Sequence, residues 1–131
     1  SWNAAILEPP PAEGAAEGAE KQYLLHVELR DGQSIATSGD YIQRLAPGLS
    51  HILDPKAGAP VTITGDSCAS ASVVCSSCML ADALATAAMA VPGGVAAGRK
   101  LLDPFRGAAL KDPVADYLLY SRWGPRVVRL Q

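Results

Sequence analysis

The chain is poor in the features that mark nucleic-acid-binding, membrane-spanning and disulfide-stabilised proteins. Aromatic residues make up only 5% of its 131 residues, and its formal net charge is −2. Neither a base-stacking surface nor an attraction to nucleic acid is therefore indicated. The sequence has no run of about 18 apolar residues, so no transmembrane segment is expected. Its three cysteines are an odd number and cannot form a complete disulfide framework.

The composition is instead that of a globular domain. Hydrophobic residues account for 49% of the chain and charged residues for 18%, and this length supports one domain with its own core over residues 1–131. The chain begins at Ser1, without an initiator methionine or a signal-peptide layout, and passes directly into a predicted strand. We therefore expect a processed, truncated or split chain.

Strands, then helices, then strands are predicted along the chain, which indicates an α+β fold. Alternating apolar residues around Asp31 and Gly32 predict a β-hairpin over residues 23–37. Ser76 or Ser77 is the predicted N-cap of a helix over residues 79–91, and a second helix is predicted over residues 95–102. The other predicted strands cover residues 2–7, 50–53 and 69–75, and a final hairpin covers residues 117–122 and 126–130.

Two of the cysteines form a single C-x-x-C motif. Cys75 and Cys78 lie between a predicted strand and a predicted helix, a context that partly fits a thioredoxin-like redox role. A zinc site would need two more ligands, and His26 and His51 are distant in sequence. The favoured interpretation is that the cysteines are buried and serve as small apolar residues.

Asp82 and Thr86 are four residues apart in a run of alanine and leucine. On a helix they share one face, which places a carboxylate beside a hydroxyl. Two oxygen ligands at this spacing suit Mg²⁺, which keeps positions for water or phosphate. The alternative is structural. Asp82 in the first turn would stabilise the helix dipole, and the Thr86 hydroxyl would bond back to a helix carbonyl.

Two further polar clusters precede this helix. Residues 36–41, ATSGDY, can offer hydroxyls and backbone N–H groups to a phosphate, or can form a plain turn. His51 lies on a short predicted strand and is a candidate general base, although a single histidine is often structural. Strand alternation places His51 and Leu53 on one side and Asp54 on the other, where Asp54 is expected to start a turn.

The three clusters, in this order, resemble the ApbE family, the FAD:protein FMN transferases. The family's C-terminal half carries an ATSGDY-like segment, an SHIIDP-x-TG-x-P-like segment, an apolar strand and an ADA-x-x-TA helix. The corresponding residues here are 36–41, 50–60 (SHILDPKAGAP), 72–74 and 81–87 (ADALATA). The resemblance covers nearly the whole chain.

The resemblance implies a sheet packed with helices in an ApbE or T-fold-like α+β arrangement, incomplete without an N-terminal half. Family members transfer FMN from FAD, their substrate, to a Thr or Ser hydroxyl of a target protein, and they release AMP. Mg²⁺ lies at the pyrophosphate. This activity requires a flavin-accepting target protein as partner, and family members are often periplasmic or membrane-anchored outside the cytoplasm.

The resemblance also assigns roles to residues of this chain. Asp82 and Thr86 correspond to metal ligands, and Ala85 lies at a position near the metal that is Asp in some members. His51 corresponds to a proposed base toward the target hydroxyl. Leu53 corresponds to a position that contacts the flavin nucleotide. The same segments place Ser38 and Gly39 among the cofactor-binding residues.

The chain departs from the family pattern in three respects. Ala57 and Val74 stand where the family has threonine, and full members have roughly twice this length. The N-terminal half, which supplies most of the flavin pocket, is expected from a companion polypeptide or a missing N-terminal segment. The alternative function is a non-catalytic flavin-binding or assembly module derived from the same family.

Overall fold

The fold combines antiparallel sheets with two helices, as the α+β prediction requires. A computed structural model describes residues 1–9, 20, 22–41, 44–107, 109–121 and 127–129 of the chain. In chain order the elements are β1 (Trp2–Leu7), β2 (Tyr23–Leu29), β3 (Ser34–Gly39), β4 (Arg44–Ala46), β5 (Leu49–Asp54), β6 (Ala59–Thr62), β7 (Cys68–Cys75), α1 (Cys78–Ala90), α2 (Gly94–Leu102), a 3-10 turn (Asp103–Arg106), β8 (Val114–Ser121) and β9 (Val127–Arg129).

The strands form three sheets within the described ranges. The order is β3-β7-β8-β9 in the largest sheet, β4-β5-β6 in the second and β1-β2 in the third, and every pairing is antiparallel. Pairing of β8 with β9 confirms the predicted final hairpin. Its predicted turn at residues 123–125 lies outside the described residues. The prolines and glycines of residues 8–20 predict a loop after β1, and most of that loop also lies outside the described residues.

The predicted hairpin over residues 23–37 is wrong. The turn forms, with Gly32 at a φ of 80° and the Gln33 amide donating to the Arg30 carbonyl at 3.0 Å. The strands on either side then enter different sheets, because β2 pairs with β1 and β3 pairs with β7. A local turn signal specifies the reversal of the chain but not the partner, and here the long buried strand β7 is the partner of β3.

The core lies between β7 and α1. All eight residues of β7 are buried, and Ala71, Val73 and Cys75 share a core cluster with Ala81 and Leu84 of α1. Small side chains on both elements allow the helix to approach the sheet closely. The predicted buried strand over residues 69–75 is thereby confirmed.

Both helices occur where they are predicted, with ends shifted by a residue. Ser77 is the N-cap of α1, and its Oγ accepts a hydrogen bond from the Leu80 amide at 3.3 Å. The second helix begins at Gly94, whose φ is 68° and which packs against the Asp66 carbonyl so tightly that a Cβ would collide with it. In the described part of the chain, no helix is both long and apolar enough to cross a membrane.

Candidate functional site

The helix α1 presents Asp82 and Thr86 on one exposed face. Its opposite face is buried and is composed of Ala81, Leu84, Ala85, Ala88 and Met89. The i, i+4 spacing therefore places the carboxylate and the hydroxyl side by side toward solvent, as the sequence predicts.

Neither the helix-dipole role of Asp82 nor the bond from Thr86 to a helix carbonyl is observed in the described helix. Asp82 is the fifth residue of α1, and the first turn carries no acidic residue, so the helix-dipole explanation loses its basis because that effect fades beyond the first turn. Among the described residues, Asp82 has no hydrogen-bond or ion-pair partner. The Thr86 hydroxyl does not bond back to its own helix but contacts a different element.

That element is β3. Ser38 Oγ lies 2.9 Å from Thr86 Oγ1, within hydrogen-bond distance. Ser38 is half-buried and pairs in register with Ala71 of β7, the strand against which α1 packs. The structure thus brings together a predicted cofactor-binding residue and a predicted metal ligand that are 48 positions apart in sequence.

Residues 36–39 are the end of β3 and residues 40–41 form a bend after it, so the segment is not a plain turn. Gly39 is the last residue of β3 and pairs with Ser70. A Cβ on Gly39 would collide with the ring of Tyr41, which would have to move to admit a larger residue. Its predicted contact with a nucleotide stays a prediction.

Asp40 is a residue that sequence reasoning passed over. Only 2% of it is exposed, and its amide donates to the Ala69 carbonyl at 3.1 Å. A signal was present, because Asp40 is two residues after Ser38 at a strand end and alternation predicts the same side for both.

His51 and Leu53 lie on the exposed side of β5, while Ser50 and Ile52 are buried on the other side. This confirms the predicted alternation. Within the described part of the chain, His51 is not a hydrogen-bond partner of Ser38 or Thr86. The Asp82 and Thr86 pair projects from α1, whereas the candidate base projects from β5.

The next residue along, Asp54, begins a turn as predicted. Its Oδ1 accepts hydrogen bonds from the amides of Lys56 at 2.9 Å and Ala57 at 3.3 Å. Its carbonyl accepts from the amide of Gly58 at 2.8 Å. The carboxylate is therefore engaged in local backbone capping and does not orient His51.

Ala85 differs from the other two predicted metal positions. Its exposure is 0%, and its methyl group belongs to the core cluster with Val73 and Leu84. The side chain supplies no oxygen atom and faces away from the Asp82 and Thr86 surface. Its predicted proximity to a metal stays a prediction.

A cavity of about 490 Å³ opens at the C-terminal end of α1, a size within the range of small-ligand pockets. Its charged lining groups are the carboxylates of Asp40, Asp54 and Asp66. None of the seven residues predicted as site residues lines it. The cavity is lined instead by other residues of the motif segments 36–41 and 50–60, among them Asp40, Ser50 and Asp54.

The cysteines divide into two buried residues and one exposed residue. Cys68 and Cys75 are buried and Cys78 is exposed, and all three are free thiols. Burial, with a smaller contribution from the nearby Asp40 carboxylate, raises the pKa of Cys68 to about 12. The small-apolar interpretation is thus confirmed for Cys68 and Cys75 and is wrong for Cys78.

The donor set of the α1 face fits Mg²⁺ better than a softer metal. Nowhere in the described ranges do three His, Cys, Asp or Glu side chains converge on a possible metal position, which argues against a closed zinc-type site there. One carboxylate with neighbouring hydroxyl oxygens matches the sparse protein ligation that Mg²⁺ accepts when phosphate and water complete its shell. Asp82 and Thr86 could hold such an ion.

Comparison with known proteins agrees with the motifs. The model of the ApbE family matches residues 1–110. The flavin transferase ApbE from Vibrio cholerae has a similar structure, with a TM-score of 0.60 and 29% identity over 92% of this chain and 32% of that one. No curated protein matches the chain.

A second solved structure supports the fold alone. The ApbE protein from Thermotoga maritima has a TM-score of 0.66 and 24% identity, over 97% of this chain and 35% of that one. The chain thus spans about a third of the length of these two solved structures.

Proposed function

The chain belongs to the ApbE family, and on that premise we propose that it supplies the metal-binding part of the active site of an FAD:protein FMN transferase. The observation that carries this proposal is the exposed Asp82 and Thr86 pair, in contact with Ser38 of β3. The 29% identity to a solved flavin transferase supports the same activity class.

The proposed reaction exchanges the phosphoanhydride bond of FAD for a phosphoester bond to the target protein. The hydroxyl oxygen of a Thr or Ser on the target protein forms a bond to the phosphorus atom on the FMN side of FAD. The pyrophosphate bond to the AMP phosphate breaks, and AMP leaves with the electron pair. The hydroxyl proton must be accepted by a base.

Asp82 and Thr86 are the residues of this chain that would hold the metal ion. Asp82 offers an exposed carboxylate without another partner among the described residues, and Thr86 offers a hydroxyl oxygen on the same helix face. Bound Mg²⁺ would stabilise the charge that develops on the pyrophosphate oxygens. Because both ligands project from one rigid helix, their spacing is fixed before substrate arrives.

His51 is the proposed base. Its imidazole lies on the exposed side of β5, where a hydroxyl carried by a protein substrate can reach it. A positioned imidazole that removes this proton typically contributes 10²–10⁴-fold to a rate. Leu53, on the same side and 55% exposed, offers an apolar surface for the flavin, and Ser38 and Gly39 lie at the end of the adjacent motif.

The remaining parts of the site are proposed to come from polypeptide outside these 131 residues. The chain spans 32% of the Vibrio cholerae flavin transferase, and two protein ligands leave the metal shell incomplete. A companion polypeptide or a preceding segment would supply the flavin-stacking surface, and a flavin-accepting protein would be the second partner. An extracytoplasmic location, in the periplasm or at a membrane anchor, is proposed from the family resemblance.

Intact-mass spectrometry of an acceptor protein tests this function. The chain, together with any polypeptide that co-purifies with it, is incubated with FAD and acceptor in Mg²⁺ or in EDTA. We expect the acceptor mass to increase by one FMN in Mg²⁺ only, and we expect Asp82→Asn to abolish the increase.

Asp31→Asn is the matched control, because Asp31 is an exposed carboxylate outside the motif segments. Its FMN transfer should equal that of the wild type. FAD binding without any transfer by the complete protein would replace the proposed activity with the non-catalytic alternative.

A further inference from the structure

We propose that Ser38 is a positioning residue that acts through Thr86. In this proposal Ser38 Oγ accepts a hydrogen bond from the Thr86 hydroxyl. The lone pairs of Thr86 Oγ1 are thereby directed outward, to a divalent cation. The inference rests on the proposed function, since it needs Thr86 to be a metal ligand.

The first step concerns the hydroxyl of Thr86. A hydroxyl has one proton to donate and two lone pairs to accept with. Within a helix, a threonine commonly donates that proton to the carbonyl three or four residues earlier. Here, within the described residues, the partner of Thr86 is Ser38 Oγ at 2.9 Å. The contact therefore turns the hydroxyl away from its own helix.

The second step is the direction of this hydrogen bond. Either oxygen can donate in the free protein. A cation on Thr86 Oγ1 withdraws electron density from that oxygen, which makes it a better donor and a poorer acceptor. Ser38 is then the acceptor, and a charge-assisted hydrogen bond of this kind is stronger than a neutral one.

The third step is the rigidity of the contact. Ser38 is fixed by the pairing of β3 with β7, in register with Ala71, and the same core cluster holds Ala71 together with buried residues of α1. Thr86 is β-branched and therefore restricted at χ1. The two hydroxyls are thus held by packed elements, so that the metal-ligand geometry is set in advance.

The neighbouring residue, Thr37, makes a hydroxyl contact on the other side of β3. Thr37 Oγ1 lies 2.7 Å from Ser72 Oγ, a hydroxyl pair of the same type that joins β3 to β7. Alternation places Thr37 on the opposite side of the strand from Ser38. Thr37 is therefore a matched control for loss of an interstrand hydroxyl contact.

The test uses Mn²⁺ as the probe and measures its affinity by electron paramagnetic resonance. The chain, together with any polypeptide that co-purifies with it, is compared in the presence of FAD with the Ser38→Ala, Thr86→Val and double variants. We expect Ser38→Ala to weaken binding about 10–100-fold, the usual range for loss of a group that orients a ligand. The double variant should bind like Thr86→Val alone, since Ser38 has no effect without Thr86.

Two further variants separate positioning from folding. Ser38→Thr keeps the hydroxyl and should restore affinity to within about threefold of the wild type, and Thr37→Val should leave it unchanged. The proposal is overturned if Ser38→Ala binds Mn²⁺ with wild-type affinity. It is also overturned if the losses of affinity caused by Ser38→Ala and Thr86→Val add up in the double variant. In either case, weaker binding by Asp82→Asn leaves the proposed function standing. If the wild type binds no Mn²⁺, both are overturned.

Discussion

The two elements that carry the motifs, α1 and β5, each have one exposed and one buried side, and the two sides differ in chemistry. The exposed sides carry Asp82 and Thr86 on the helix and His51 on the strand. The buried sides carry Leu84 and Ile52, which meet in one core cluster. Neighbouring residues in the sequence thus have different roles. Those on the exposed sides carry the proposed chemistry, and those on the buried sides stabilise the fold.

A residue within a motif does not have to contact a ligand. Residues 81–87 read as one signature, yet Ala81 and Ala85 are fully buried against β7 while Asp82 and Thr86 face solvent. The alanines let the helix pack closely, and the polar residues are left on the far side. Substitutions on the two sides should therefore separate catalysis from folding.

Among the substitutions that compare the sides of β5 and α1, His51→Ala on the exposed side of β5 is expected to lower the transfer rate the most after Asp82→Asn. Loss of the proposed base should lower the FMN transfer rate by about 10²–10⁴-fold, while FAD binding and the free energy of unfolding stay near their wild-type values. Mass spectrometry of acceptor samples quenched at successive times measures the rate, and fluorescence titration measures FAD binding.

His26→Ala is the control, because His26 is also exposed on a strand but lies in the separate β1-β2 sheet. It should transfer FMN at the wild-type rate. Loss of FAD binding in His51→Ala would mean that His51 is a binding residue and not the base.

A substitution on the buried side of α1 is instead expected to change the stability of the fold. Leu84 is only 6% exposed and packs in the core cluster, so Leu84→Ala should lower the free energy of unfolding by about 2–5 kcal/mol. Urea unfolding followed by circular dichroism measures this loss. Exposed Asp82→Asn, two residues away, should change it by less than about 0.5 kcal/mol, and equal losses would contradict the division of α1 into two sides.

The smallest expected effect is the pH dependence contributed by Cys68. Its folded-state pKa of about 12 lies above the ordinary value of 9.0, so the folded state keeps the thiol proton after the unfolded state has lost it. The contribution is fully present below pH 9 and is lost as the pH rises toward 12.

Between pH 8 and 10, wild-type stability should therefore fall by about 1.4 kcal/mol more than that of Cys68→Ala. Urea unfolding at both pH values measures the difference. Parallel stability profiles for the two proteins would show that Cys68 does not titrate as its burial requires.

The elements of the fold with local signals could be predicted from the sequence. Ser77 caps α1, a turn forms at Gly32, and β5 alternates as its residues indicate. The partner of β3 could not be predicted, because a turn fixes only a chain reversal and the buried strand β7 competes for the same backbone groups.

The candidate site, too, could be predicted from the sequence only where local geometry decides the arrangement. The i, i+4 spacing of Asp82 and Thr86 predicts their shared face, since helix geometry alone sets it. It does not predict which group meets the Thr86 hydroxyl, because Ser38 reaches it through the packing of α1 on β3. The first turn also ends before Asp82, since the helix starts one residue earlier than its apolar pattern indicates.

Whether the exposed face of α1 holds a divalent cation is tested most directly by titrating Mn²⁺ into the chain, with any polypeptide that co-purifies with it and with FAD present. We expect one bound ion in the wild type, at least tenfold weaker binding in Asp82→Asn, and wild-type binding in Asp31→Asn. Equal affinity in the wild type and Asp82→Asn would contradict this expectation.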